Sequence, residues 1–176
     1  MKRNYERTLT GCFAIAATTI MILLMLPQIS SAQSGKTDFT GDWTFNTEKS
    51  TLPQGGGGAR MGGNVVVTQD ANTLTVVRTR TGQDGQETTT TMKYTLDGKE
   101  SINSSARGDS KSVATWSSDG KSVSIATTRT FDMNGETRTM QSTEVWKLTD
   151  PKTLTVTSTR QGQDGEVKTD LIYEKK

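Results

Sequence analysis

The side chains with the greatest chemical capacity here are four arginines and one glutamate. Arg78, Arg80, Arg129 and Arg160 fall late in segments of alternating β-type residues, two to six residues after an aliphatic pair on the same parity. A guanidinium holds a carboxylate through directional, charge-assisted hydrogen bonds, so a convergent set would receive an acidic group. Glu144 shares a face with Ser142, Trp146 and Leu148 and is the one acid expected on an inner wall. It could neutralise Arg160, because a buried charge needs a partner. It could also serve as a general acid, but no second carboxylate accompanies it on that face, as glycoside-type chemistry requires. The chain contains no His and a single Cys, Cys12. Past that Cys there is no disulfide, no zinc site of His/Cys type, no His-ligated haem, no Ser-His-Asp triad and no thiol nucleophile. The expectation is a non-enzymatic protein with no metal and no cofactor.

Turn signals show how these side chains are carried. Asp84-Gly85, Asp97-Gly98, Asp119-Gly120, Asn134-Gly135 and Asp164-Gly165 each separate two alternating runs, and Asx-Gly suits the positive φ angles of hairpin turns. Asp70-Ala71-Asn72 and Asp150-Pro151-Lys152 add two more turns. The predicted strands are 41–46, 64–69, 73–82, 86–96, 99–105, 111–118, 121–131, 136–148, 153–162 and 166–175. Sequential antiparallel strands with short connections form a meander, and closure into an up-and-down barrel removes its edges. A two-sheet sandwich is the alternative.

A repeat supports the pattern. Thr73-Leu74-Thr75-Val76 with Thr79-Arg80 and Gly82-Gln83-Asp84-Gly85 returns as Thr153-Leu154-Thr155-Val156 with Thr159-Arg160 and Gly162-Gln163-Asp164-Gly165. After the turn, Tyr94 answers to Tyr173 with the spacing shortened by one residue. A one-residue slip would turn every later side chain to the other face. A three-residue turn at Gln83-Asp84-Gly85 and a two-residue turn at Asp164-Gly165 keep both tyrosines with the aliphatics.

Register then separates two ends. The turns set Trp116 opposite Val123 and Val123 opposite Trp146. Alternate turns of a meander share an end, so Trp43, Leu74, Tyr94, Trp116, Val123, Trp146, Leu148 and Leu154 gather at one. Arg80, Arg129, Arg138 and Arg160 gather at the other, with the Gly-rich connection Pro53–Gly63 and the loop Ala106–Ser110. The expected form is a cup with an aromatic floor and a basic mouth. Arg near a strand end also commonly lays its stem over the core and keeps its head in water. Gly55–Gly58 lacks the Gly-Lys-Ser/Thr of a phosphate loop, and Arg107-Gly108-Asp109-Ser110 is an adhesion tripeptide of the kind that chance supplies.

The N-terminus has its own organisation. Lys2, Arg3 and Arg7 precede the apolar run Thr8–Leu26, and Ser30-Ser31-Ala32 offers small residues for cleavage. That is the layout of a secretory signal peptide over 1–32, with one domain over 33–176. A retained membrane anchor and lipidation at Cys12 are the alternatives. Without this segment the basic and acidic residues are equal in number, which argues against a nucleic-acid partner. Leu, Ile, Val and Phe make up only about 15% of the remainder, a low share for a folded domain. Threonine outnumbers every other residue there, and its β-branched side chain fits strands without being greasy. A thin-cored all-β domain follows.

Gly41-Asp42-Trp43, at the start of the first strand, resembles the Gly-x-Trp opening of lipocalins. The longer run Gly41-Asp42-Trp43-Thr44-Phe45-Asn46 with Lys49-Ser50 is similar to the opening of bacterial secreted lipocalin-like β-barrel proteins of unknown function. The resemblance extends over nearly all of 33–176. It departs in lacking a Thr-Asp-Tyr motif and in ending on Lys175-Lys176, where a lipocalin places an Arg over the Trp. Ten strands fit the fatty-acid-binding-protein barrel better than the eight of lipocalins, although that barrel has helices where this chain has Pro53–Gly63. The resemblance implies carriage of a small apolar ligand. The expected protein is exported, periplasmic or extracellular, monomeric, and binds a small amphiphile or lipid. Its tail would lie over Trp43, Trp116, Trp146 and Tyr94, and its acidic head would meet Arg129, Arg160, Arg78 or Arg80. The competing expectation is a structural or protein-interaction barrel with a filled interior.

Overall fold

A computed structural model describes residues 35–52, 62–82, 84–105, 108–133, 135–162 and 165–176. The expected signal segment 1–32 with Cys12, the Gly55–Gly58 run and most of Pro53–Gly63, Arg107, and the turn residues Gln83, Asn134 and Asp164 lie outside the described residues. The strands are β1 (Gly41–Thr51), β2 (Asn64–Gln69), β3 (Thr73–Thr81), β4 (Glu87–Thr95), β5 (Glu100–Ser105), β6 (Gly108–Trp116), β7 (Ser122–Met133), β8 (Glu136–Asp150), β9 (Thr153–Gly162) and β10 (Gly165–Lys175). All pair antiparallel in one 10-stranded sheet of order β4-β3-β2-β1-β10-β9-β8-β7-β6-β5. First strand meets last: Trp43 pairs with Lys175 and Phe45 with Tyr173. The meander therefore curls into a nearly closed barrel.

The one seam without a backbone ladder lies between β4 and β5. Side chains bridge it instead. The Asn103 amide accepts from Lys93 N–H at 2.8 Å through Oδ1 and donates to Lys93 C=O at 3.0 Å through Nδ2. Ser101 Oγ accepts from Thr95 N–H at 2.8 Å. Asn103 thus stands in for a strand neighbour by offering both an acceptor and a donor. Asn103→Ala strips Lys93 of both partners, and about 1–2 kcal/mol of stability should go with them. Urea denaturation checks the loss, and faster amide exchange at Lys93 locates it.

The repeat is structural. Leu74 pairs with Tyr94 and Leu154 with Tyr173, so the two hairpins superpose inward residue on inward residue. The first has the extra residue in its turn: Gly82 N–H bonds Gln86 C=O at 2.7 Å, Gly85 N–H bonds Gly82 C=O at 3.0 Å, and Gly85 takes φ 77°. That is a three-residue loop closed by a left-handed residue. In the second, the ladder ends on the Gly162–Gly165 pair. Two residues connect the strands as expected, but they are 163 and 164, not Asp164-Gly165. The inward face is unaffected, because a shift of one residue in turn position moves the pairing sum by two.

The expected pairs Trp116–Val123 and Val123–Trp146 both form. Phe39, Trp43, Leu74, Val123, Ile125, Trp146, Leu154, Val156, Leu171 and Tyr173 are each at most 1% exposed. The strand period places all but Phe39. The floor is sealed by the segment before β1, which runs across the barrel end. Thr37 N–H bonds Gly120 C=O at 2.9 Å, and Gln69 clamps the segment through Phe39 N–H at 3.1 Å and Thr37 C=O at 3.0 Å. Phe39 stacks on Trp116 with ring centroids 5.9 Å apart and meets Trp146 edge-on at 6.2 Å. Its carbonyl accepts from the Trp43 indole at 3.0 Å. Lys175 Nζ lies 5.3 Å from the centre of the Trp43 ring, a cation–π contact at the floor.

The loop expected at Ala106–Ser110 is mostly strand. β6 begins at Gly108, and Ser110 is buried between Asn103 and Arg129. The Gly-Asp-Ser portion of the adhesion-like motif is therefore built into the wall. Gly108 has φ 106°, and a Cβ there would run into the Thr130 carbonyl.

Candidate functional site

Inside the barrel the walls change character with height. Above the floor lies a middle layer of Val76, Ile125, Val156, Leu171 and Tyr173, buried with Glu144 beside it. Next comes a belt of small hydroxyls, with Ser112, Ser158 and Thr169 buried and Thr127 and Ser142 half-buried. Ser112 and Thr127 hydroxyls bond one another at 2.9 Å. Arg78 stands at this belt, while Arg80, Arg129 and Arg160 stand above it toward the mouth, following the two-residue strand repeat. Across the strands Thr90 faces Arg78, Thr88 faces Arg80, Met140 faces Arg129 and Val167 faces Arg160, with Phe131 one inward step beyond Arg129. Thr88, Thr90 and Met140 are exposed, so this end is open to water.

Each arginine is held differently. Arg80 Nε donates to Gly62 C=O at 3.0 Å, which fixes the stem against the wall. Gly62 itself has no room for a side chain, because a Cβ there would run into the Phe45 ring. Arg129 Nη2 donates to Ser105 Oγ at 3.2 Å. Arg160 has no hydrogen-bond or ion-pair partner among the described residues. Arg78 and Arg129 each carry a buried Nε without a partner, and Thr169 Oγ1 and Tyr173 Oη are buried in the same condition.

The electrostatics follow from this geometry. Burial works against the Arg78 charge, but Glu144, with Tyr173 and Tyr94, outweighs it and moves the pKa up. Burial first, then Glu144, raises the Tyr94 phenol, and burial also raises Tyr173. Both phenols are consequently neutral at physiological pH, which leaves Glu144 as the working counter-charge of Arg78. Arg80 is shifted down, by burial first and then by the charge of Arg78 beside it on the same face of β3, with Arg129 adding to it and Tyr173 and Glu144 opposing.

The expected Glu144–Arg160 ion pair is absent. The β8–β9 register sets Ser142 opposite Arg160 and Glu144 opposite Ser158. Glu144 Oε2 instead accepts from the Trp146 indole at 3.0 Å, two residues along the same strand face. A near, rigid donor outcompetes a diagonal reach by a long side chain. Arg138 also leaves the set. The β8–β9 ladder starts only at Ser142, so the β7–β8 hairpin projects past the rim. There Arg138 is exposed and lies 3.3 Å from Glu136.

The aromatic residues expected to receive a tail are occupied by the core. Trp43 and Trp146 are each 1% exposed and Tyr94 is 7% exposed. Surface a water could touch would register as exposure, so no ligand-sized space borders the two indoles. Trp116 is half-buried between Phe39 and Lys36, whose Nζ is 5.3 Å from its ring centre. Of the expected site residues, the structure brings Arg78, Arg80, Arg129, Arg160 and Glu144 onto one interior, and assigns Trp146 and Tyr94 to packing. Sequence reasoning missed Tyr173 and Thr169 as site candidates. The repeat that matches Tyr173 to Tyr94 carried the signal.

The protein is similar in fold to a zebrafish ileal bile acid-binding protein solved with cholic acid, at TM-score 0.52 and 14% identity. The match covers 78% of this chain and 98% of that one. No known family profile matches the sequence, and no curated protein is similar to it. The likeness is one of fold: ten antiparallel strands in a nearly closed barrel, similar to the fatty-acid-binding-protein-like fold.

Proposed function

We propose that this is an exported, monomeric, non-enzymatic binding protein for a small amphiphile, which it holds head-inward. The acidic head sits among Arg78, Arg80, Arg129 and Arg160, and the apolar part lies against Met140 and Val167, which face Arg129 and Arg160 across the strands, and outward over Phe131. The carrying observation is the set of buried polar atoms turned into the barrel with no hydrogen-bond partner among the described residues: Arg78 Nε, Arg129 Nε, Thr169 Oγ1 and Tyr173 Oη. A buried donor or acceptor left bare costs about 1–3 kcal/mol, and a guest with acceptor oxygens removes that cost. The filled floor favours this orientation over the reverse. The signal-peptide layout of residues 1–32 supports export.

Native mass spectrometry of the protein recovered from an exporting bacterial host tests the reading. An adduct in the lipid mass range is expected on the wild type, and it should disappear from the Arg129→Gln/Arg160→Gln variant. A bare mass on the wild type, together with no binding of added octyl-chain acids, would overturn it in favour of a filled structural barrel.

A further inference from the structure

Charges outside the barrel and charges inside it are treated differently. On the surface, cations meet acids: Lys49–Glu174 at 2.6 Å, Lys99–Asp97 at 2.9 Å, Lys111–Glu100 at 3.4 Å and Arg138–Glu136 at 3.3 Å. On the inner wall the arginines are steadied by neutral oxygens, Gly62 C=O for Arg80 and Ser105 Oγ for Arg129, while Arg160 is unpartnered among the described residues. Below the hairpin tip, Glu144 is the one acid on that wall among the described residues. It is the counter-charge of Arg78 and a hydrogen-bond acceptor for Trp146.

The interior balance is thus four guanidiniums against one carboxylate, Glu144, whose charge bears on both Arg78 and Arg80, which leaves a net excess of three positive charges among the described residues. Neutral hydrogen bonds orient a guanidinium without spending its charge, whereas a carboxylate would cancel it. A monocarboxylate would offset one of the three. Like charges gathered under a low-dielectric wall repel, and after burial, which lowers Arg80 most, Arg78 and Arg129 push it down further against the opposing effect of Tyr173 and Glu144. The hydroxyl belt beneath, with Thr169 Oγ1 and Tyr173 Oη unpartnered, offers further donors to an oxygen-rich group.

We infer that the head group this site takes is a compact dianion, of the phosphate-monoester kind, held between Arg80, Arg129 and Arg160. The inference rests on the binding reading above and specifies its ligand. Guanidinium forks match the geometry of phosphate as well as carboxylate, and the second proton of a phosphate monoester leaves near pH 6.

Calorimetry with octyl phosphate, octanoate and inorganic phosphate provides the test on the protein as exported. At pH 7.5 octyl phosphate should bind about tenfold more tightly than octanoate. That preference should shrink as pH falls toward 5 and the phosphate becomes a monoanion. Arg160→Gln should erase most of it, and since Arg160 has no partner among the described residues the variant should melt no lower than the wild type. Equal affinities for the two octyl compounds at pH 7.5 would overturn the dianion inference and leave the binding reading standing. Binding of inorganic phosphate as tight as octyl phosphate would uphold the dianion and remove the amphiphile. Failure of all three to bind would overturn both.

Discussion

Phe39→Ala is expected to lower stability by about 3–5 kcal/mol, measured as a shift of the urea midpoint with an unchanged slope. The ring is fully buried and forms the underside of the barrel floor, stacked on Trp116 and edge-on to Trp146. Removing it leaves a cavity lined by two indoles that cannot collapse, because β6 and β8 fix Trp116 and Trp146 in opposite-facing ladders with Val123 between them. The cavity cost therefore adds in full to the lost transfer energy. The segment also loses its anchor. What remains is hydrogen bonding alone, namely the Gln69 contacts, the Thr37 bonds to Gly120 and Lys121 carbonyls and the Trp43 indole on the residue 39 carbonyl, so the strap should loosen on the floor and admit water to Trp116. Tryptophan emission shifting to the red below the unfolding transition would report that opening. A midpoint within 0.5 kcal/mol of wild type would show that the strap contributes little to closing the barrel.

Phe39 also marks where sequence reasoning ended. The strands were legible because threonine and aliphatics alternate on a period of two and because five Asx-Gly turns punctuate them. Those signals fixed the pairs Trp116–Val123 and Val123–Trp146, and both form. Phe39 lies in an irregular segment with no period, so nothing local distinguishes it from an exposed residue. The open seam was hidden for a related reason. Asp97-Gly98 carries the same hairpin signature as the other turns, yet β4 and β5 are joined by Ser101 and Asn103 side chains in place of a ladder. A turn signal reports reversal of the chain, not whether the strands it joins stay in hydrogen-bonding contact. For the candidate site, parity placed the arginines on the inner face, and that much is what parity can determine. Choosing the partner of Glu144 needed side-chain geometry, since Arg160, Arg78 and Trp146 all share its face. The outcome turned on a hydrogen bond along one strand, which pair tables across strands do not anticipate.

Glu144→Gln should cost about 2 kcal/mol of stability and at the same time tighten anion binding. The side chain removed is the counter-charge that moves the Arg78 pKa up against the effect of burial. Breaking one side of such an arrangement leaves an uncompensated charge in a poorly solvated position, which is why loss of a single partner is more damaging than loss of both. Glutamine keeps an oxygen near the Trp146 indole, so the 3.0 Å hydrogen bond survives in neutral form and the loss is chiefly electrostatic. Arg78→Met alone should cost a comparable amount, because it strands Glu144. The double variant should cost less than the sum by about 1 kcal/mol, the signature of direct coupling in a mutant cycle. Strict additivity would show that Glu144 acts only through Trp146. The binding arm runs the other way: with Glu144 neutral, Arg78 joins Arg80, Arg129 and Arg160 as a fourth uncancelled cation, and octyl phosphate should bind several-fold more tightly than to the wild type. A less stable protein that binds its anion better is what a barrel gives when its one inner acid exists to make the empty state tolerable. A variant that lost stability and affinity together would place Glu144 in the ligand's own contacts instead.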